Sequence, residues 1–114
     1  MSASTSTALA TDTPKLVEDL IANNRIAVFS KSWCPYCKRA KALLANNYAD
    51  VPAEVIEIDG LGDSKCSEIQ DYLLEKTGQR SVPNIFIDQK HIGGSDKLAE
   101  LQSKGELKAL INKL

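Results

Sequence analysis

The stretch RIAVFSKSWCPYCKRAK, residues 25–41, decides how the rest of the chain is read. Its first six residues are apolar and partly β-branched, which predicts a buried strand. Cys34 and Cys37 follow at once, and a helical stretch runs from about Tyr36 to Asn46 with Ala40, Leu43 and Leu44 on one face. A strand that hands over to a helix puts the junction at the strand's C-terminal end. Open α/β sheets place their sites there.

Working outward, Thr13 is expected to cap a first helix with Pro14 at its first position. Leu16, Val17, Leu20 and Ile21 recur at helical spacing until Asn23-Asn24 closes the segment. AEVIEID, residues 53–59, reads as a second strand, parallel to the first because a helix of crossover length lies between them. Residues 62–78 predict a helix capped by Asp63 or Ser64 and stopped by Gly78. NIFID and KHIGG flank a turn near Asp88-Gln89 and predict a hairpin. Ser95 or Asp96 then starts a helix carrying Leu98 and Leu101, and Gly105 separates it from a last short helix through Leu114. The fold class is α/β, a four-stranded mixed sheet with helices on both faces.

At 114 residues the chain makes one domain, expected to span residues 14–114 behind a disordered tail of residues 1–13. A net charge of −1 excludes a generally basic nucleic-acid binder, so any electrostatic specialisation is local. No apolar run approaches the roughly 18 residues a membrane span needs. The N-terminus has neither the basic start nor the apolar centre of a secretory signal. It is Ser/Thr/Ala-rich like some organelle transit sequences, yet carries no Lys or Arg before Lys15. Three cysteines with one close pair do not form a secreted disulfide framework. The expected location is therefore the cytoplasm, where a Cys-x-x-Cys needs a chemical reason.

A permanent disulfide between Cys34 and Cys37 would close a tiny loop and stabilise little. A zinc site needs about four ligands, and only Cys66 and His91 remain to complete one, without paired spacing. No metal is expected. A reactive thiol fits better. Cys34 lies at the first turn of a helix, where unpaired N–H groups and the dipole favour a thiolate. Lys31, Lys38, Arg39 and Lys41 add positive potential, with no acid among them. Pro35 suits a helix start and donates no hydrogen bond. Cys37, one turn on, points the same way. Cys34 is thus the attacking thiolate and Cys37 the more buried resolving thiol. Cys66 shares a stripe with Ile69 and Leu73 and reads as partly buried and inert. His91 reads as structural or solvent-facing, and Trp33 as a docking rim or a residue packed on its loop.

With WCPYC, QRSVPNIFI (residues 79–87) and HIGGSDKL (residues 91–98) in the same order, the chain resembles the dithiol glutaredoxins of the thioredoxin superfamily. The resemblance covers nearly everything from Pro14 to Leu114 and implies a thioredoxin-like fold. It further implies glutathione as co-substrate. Lys31, Gln70 and Arg80 would approach the carboxylate of its glycine end, and Val82, before a cis Pro83, would bond its cysteinyl backbone like an added strand. Gly94, Ser95 and Asp96 would hold the γ-glutamyl end at a helix N-terminus, Asp96 pairing with its ammonium. Tyr36 would line the groove beside the sulfurs. Taken alone, Gln70 and Arg80 read as surface residues. Ser81 stands where the family usually has Thr, and Lys97 where a second acid is common.

The expected function is that of a glutathione-dependent thiol–disulfide oxidoreductase. It would reduce protein–glutathione mixed disulfides through Cys34 alone and protein disulfides with Cys37. Its partners would be glutathione, glutathionylated or disulfide-bonded proteins and, through the glutathione pool, glutathione reductase. No nucleic acid or membrane is expected, and the chain is expected to be a monomer. Two other readings compete: a carrier of a [2Fe–2S] cluster shared between two protomers, against which Pro35 argues, and a thioredoxin-like reductase served directly by a flavoenzyme.

Overall fold

The structure, a computed structural model, describes residues 12–112, so the expectation of a disordered tail falls almost wholly outside the described residues. The elements are α1 (Thr13–Asn23), β1 (Ile26–Ser30), α2 (Pro35–Asn47), β2 (Ala53–Glu57), a single 3-10 turn (Ile58–Leu61), α3 (Asp63–Thr77), β3 (Asn84–Ile87), β4 (Lys90–Gly93), α4 (Ser95–Ser103) and α5 (Glu106–Ile111). The sheet order is β2-β1-β3-β4. β1 runs parallel to β2 and antiparallel to β3, and β4 returns antiparallel beside β3. This is the expected four-stranded mixed sheet.

β1 is buried along its whole length because it lies inside the sheet with helices on both faces. Its side chains alternate between the two cores. Ile26 and Val28 pack with Ala40, Leu44, Leu98 and Leu107, the layer of α2, α4 and α5. Ala27 and Phe29 pack with Val17, Ile21, Ile69 and Leu73, the layer of α1 and α3. The strand's last residue, Ser30, is fully buried at the point where the chain leaves for Cys34.

Several helix starts differ from the sequence reading. Asp12, not Thr13, caps α1: its carboxylate accepts from the Lys15 N–H at 2.8 Å. Pro14 has no N–H, so the cap must reach the residue after it. Thr13 instead opens the helix and donates its hydroxyl to Glu68 at 2.7 Å. α3 and α4 follow Gly62 and Gly94 without a side-chain cap, so the caps expected at Asp63, Ser64, Ser95 and Asp96 lie within the helices themselves. β2 stops at Glu57, two residues short of the expected end, because Ile58 already enters the 3-10 turn. The hairpin turn is where it was expected. Asp88 and Gln89 both have positive φ, 49° and 70°, the pattern of a type I′ turn.

Candidate active site

The 25–41 stretch folds as its composition dictates, and the consequence is chemical. Cys34, in extended backbone, is the N-cap of α2, and its sulfur accepts from the Cys37 N–H at 3.4 Å. A cap position normally belongs to an oxygen side chain, and here a thiol occupies it. Burial works against the Cys34 thiolate. The N–H groups of Cys37 and Tyr36, the Cys37 thiol and the Lys31 charge outweigh it, and the thiol titrates below its ordinary value. Burial pushes the Cys37 thiol the other way, upward, and the neighbouring Cys34 adds to the effect. The two thiols are therefore unequal in titration.

The basic residues do not act together. Lys41 is drawn off by Glu57, 2.7 Å away. Arg39 lies over the Tyr36 ring at 5.2 Å, and Lys31 stands 5.7 Å from the Trp33 ring centroid. Only Lys31 contributes its charge to the Cys34 thiolate. Trp33 is 64% exposed and lies outside the groove lined by Tyr36, Val82 and Pro83.

Opposite the sulfurs stands the loop before β3. The Val82-Pro83 peptide is cis, and the Val82 carbonyl lies 3.9 Å from the Cys34 sulfur. From there a groove of about 670 Å³ runs past Tyr36, Val82 and Pro83 to Gly94, Ser95 and Asp96 at the start of α4. Those six predicted site residues line one concavity although they come from three segments of the chain. Gly93 also lines it with φ 128°, where an L side chain is strained, and a Cβ there would stand 3.3 Å from Lys97 Cβ.

The remaining predicted residues lie outside that lining. Gln70 is not a surface residue: it is buried in α3, and its amide donates to the Arg80 carbonyl at 2.9 Å. Arg80 is exposed, with its guanidinium on Asp71 at 3.0 Å and on the Ser67 hydroxyl at 3.3 Å. Cys66 is buried among Ile69 and Leu73, with its thiol turned to the Gln70 side-chain oxygen. His91 packs on Phe86 and meets Asn84 Oδ1 at 2.9 Å, and burial pushes its titration down.

Two organising residues escaped the sequence reading. The Gln79 amide donates to the Ser81 and Pro83 carbonyls, 3.0 Å each, and so shapes the cis-proline loop from within. Asp59 accepts from the Ser32 N–H at 3.1 Å and the Ser32 hydroxyl at 2.6 Å, tying the loop before Cys34 to the end of β2. Both bonds hold the Asp59 carboxyl below its usual range. Neither residue carries a local signal, because its partners are defined only by the folded loops.

The comparisons with known proteins agree with this geometry. The family model for glutaredoxin matches residues 26–92. A glutaredoxin-1 of Rhizophagus irregularis is 48% identical over 95 residues, 83% of this chain and 90% of that protein. A glutaredoxin-1 of Saccharomyces cerevisiae is 48% identical over 101 residues, 88% of this chain and 91% of that one. Among solved structures, a buckwheat glutaredoxin–glutathione complex superposes with a TM-score of 0.80 at 38% identity, covering 93% of this chain and 92% of the other. The holo form of glutaredoxin C1 from poplar gives 0.79 at 36%, covering 94% and 97%. The mixed sheet between its two helical layers is a thioredoxin-like fold, and the chain belongs to the glutaredoxin family, with that family's oxidoreductase activity.

Proposed function

We propose that the protein is a glutathione-dependent thiol–disulfide oxidoreductase that uses Cys34 as nucleophile and Cys37 as resolving thiol. The observation that carries this reading is the Cys34 sulfur, held as a helix cap 3.9 Å from the carbonyl of Val82, which lines a groove that ends on another helix N-terminus. A tripeptide disulfide laid in that groove has its sulfur at Cys34 and its γ-glutamyl carboxylate toward α4. Val82 bonds the cysteinyl backbone as an added strand does, against the cis Pro83. Gly94 and Ser95 receive the γ-glutamyl carboxylate, Asp96 its ammonium, and Tyr36 forms the wall. Lys31 and Arg80 attract the carboxylate of the glycine end. Gln70 acts through the Arg80 carbonyl that it holds.

The chemistry is two exchanges. The Cys34 thiolate attacks the glutathionyl sulfur of a protein mixed disulfide and releases the protein thiol; a second glutathione then frees Cys34. With a protein disulfide, Cys37 attacks the Cys34–protein disulfide instead. A coupled assay with glutathione, glutathione reductase and NADPH separates the roles. On a glutathionylated peptide, Cys34→Ser is expected to abolish turnover and Cys37→Ser to keep much of it, while both lose protein-disulfide reduction. A Cys37→Ser enzyme as dead as Cys34→Ser on the peptide overturns the assignment.

A further inference from the structure

The Gln79 side chain is engaged twice. Its amide nitrogen carries two protons, and both go to the loop before β3, one to the Ser81 carbonyl and one to the Pro83 carbonyl, at 3.0 Å each. Those two carbonyls flank Val82. The carbonyl between them, that of Val82 itself, is left to the Cys34 sulfur at 3.9 Å. The Ser81 carbonyl shares a planar trans peptide with the Val82 N–H, so the two point opposite ways. Drawing that carbonyl to Gln79 turns the Val82 N–H away from Gln79. A residue before proline favours extended backbone, in which its N–H and its carbonyl face one side and can serve a partner strand together.

The clamp has a firm base. The Gln79 N–H donates to the Thr77 hydroxyl at 3.0 Å, and the Gln79 carbonyl accepts from the side chain of Asn84, wholly buried in β3, at 3.1 Å. It also stands at the groove. Gln79 lines it, and a Cβ built at Gly94 would lie 3.5 Å from the Pro83 carbonyl oxygen and 3.9 Å from Gln79 Nε2. The bond to the Ser81 carbonyl is exposed, where water would satisfy that oxygen equally well, so it fixes a direction more than it offsets burial.

We propose that Gln79 is a positioning residue for glutathione, aiming the Val82 N–H and carbonyl at the cysteinyl backbone of the tripeptide. This rests on the reading of Val82 as the added-strand contact. Gln79 acts through Val82 and not on the sulfurs. Its loss leaves Cys34 its helix cap but frees the Val82 peptide to turn, so the tripeptide meets a donor and an acceptor out of line. The effect falls on disulfides that carry a peptide backbone and passes over those that do not.

The test compares two disulfides that react with the reduced full-length protein. With either one, the Cys34 thiolate forms a mixed disulfide with one half, and the other half leaves as a thiolate. Glutathione disulfide offers Val82 a cysteinyl backbone, and hydroxyethyl disulfide offers none. Loss of the reduced protein is followed by acid quench and mass spectrometry. Gln79→Met, similar in length and without donors, is expected to slow the reaction with glutathione disulfide by about tenfold and to leave the other within about twofold. Gln79→Glu, which keeps the shape and replaces the donors with a carboxylate, is expected to show the same split and carries the test should Gln79→Met not fold. Equal slowing with both disulfides, or no slowing with glutathione disulfide, overturns the positioning role. A wild-type protein that reacts no faster with glutathione disulfide than with hydroxyethyl disulfide would instead overturn the glutathione reading beneath it.

Discussion

Cys34 owes its lowered titration to a position more than to a neighbour. Its sulfur sits where a helix leaves N–H groups unpaired, and Lys31 adds charge from the loop before it. The thiol is thus held low, so the folded state is stabilised by the thiolate above the ordinary value of 9.0, and that contribution is lost as pH falls through the folded value. Lys31→Met is expected to raise the Cys34 titration, measured as the pH dependence of alkylation by iodoacetamide. Its activity near neutral pH should fall by no more than about tenfold, since the helix N–H groups remain. Wild-type alkylation at every pH would mean that the lysine plays no part in holding the thiolate. At this scale the cysteines were legible because their spacing is local. The burial of Gln70 and the bonds of Asp59 and Gln79 were not. Their partners lie up to 27 residues away in the chain and meet only across folded loops.

Among the elements, α1 shows how a short helix outside the sheet is retained. It buries Val17 and Ile21 and adds polar ties to α3. The Tyr72 hydroxyl donates to Glu18 at 2.5 Å, and Lys76 pairs with the same carboxylate at 3.0 Å. The Tyr72 bond, helped by Lys76, holds Glu18 below its usual range against a burial cost, and Glu18 in turn pushes Tyr72 up to about 12. The linkage follows from those signs. The Glu18 contribution is full above 4.5 and is lost as pH falls through its lowered value. The Tyr72 contribution is full below 10.0 and is lost as pH rises toward about 12. Tyr72→Phe is therefore expected to cost about 0.5–1 kcal/mol in urea unfolding, at the low end because the pair is half in water. The difference from wild type should vanish in acid and in strong alkali, and a difference that persisted there would assign it to packing. The helix was visible in the sequence as an apolar stripe, but its cap was displaced from Thr13 to Asp12 because of Pro14.

The whole molecule rests on β1, which feeds both cores and delivers the active-site loop. Phe29 is fully buried and meets Phe86 edge-on at 6.0 Å in the core beneath α1 and α3. Phe29→Ala is expected to cost about 3–5 kcal/mol in urea unfolding, a large part of the roughly 5–15 kcal/mol of a domain. Leu74→Ala, on a side chain 45% exposed, should stay within about 0.5 kcal/mol. Equal losses would mean that burial does not set the stability of this fold. By itself the sequence determined the order of elements, the parallel pairing of the first two strands, the hairpin turn and the cysteine pair at a strand-to-helix junction. Each of these is written in local periodicity, in turn chemistry or in the length of a connection. Only the tertiary structure decided that Tyr36, the Val82-Pro83 loop and the start of α4 line one groove, that the Val82 carbonyl stands 3.9 Å from the Cys34 sulfur, and that Ser30 and Lys41 meet at Glu57. Those arrangements depend on strand register and on a helix laid across two strands, which fix distances that no spacing along the chain encodes.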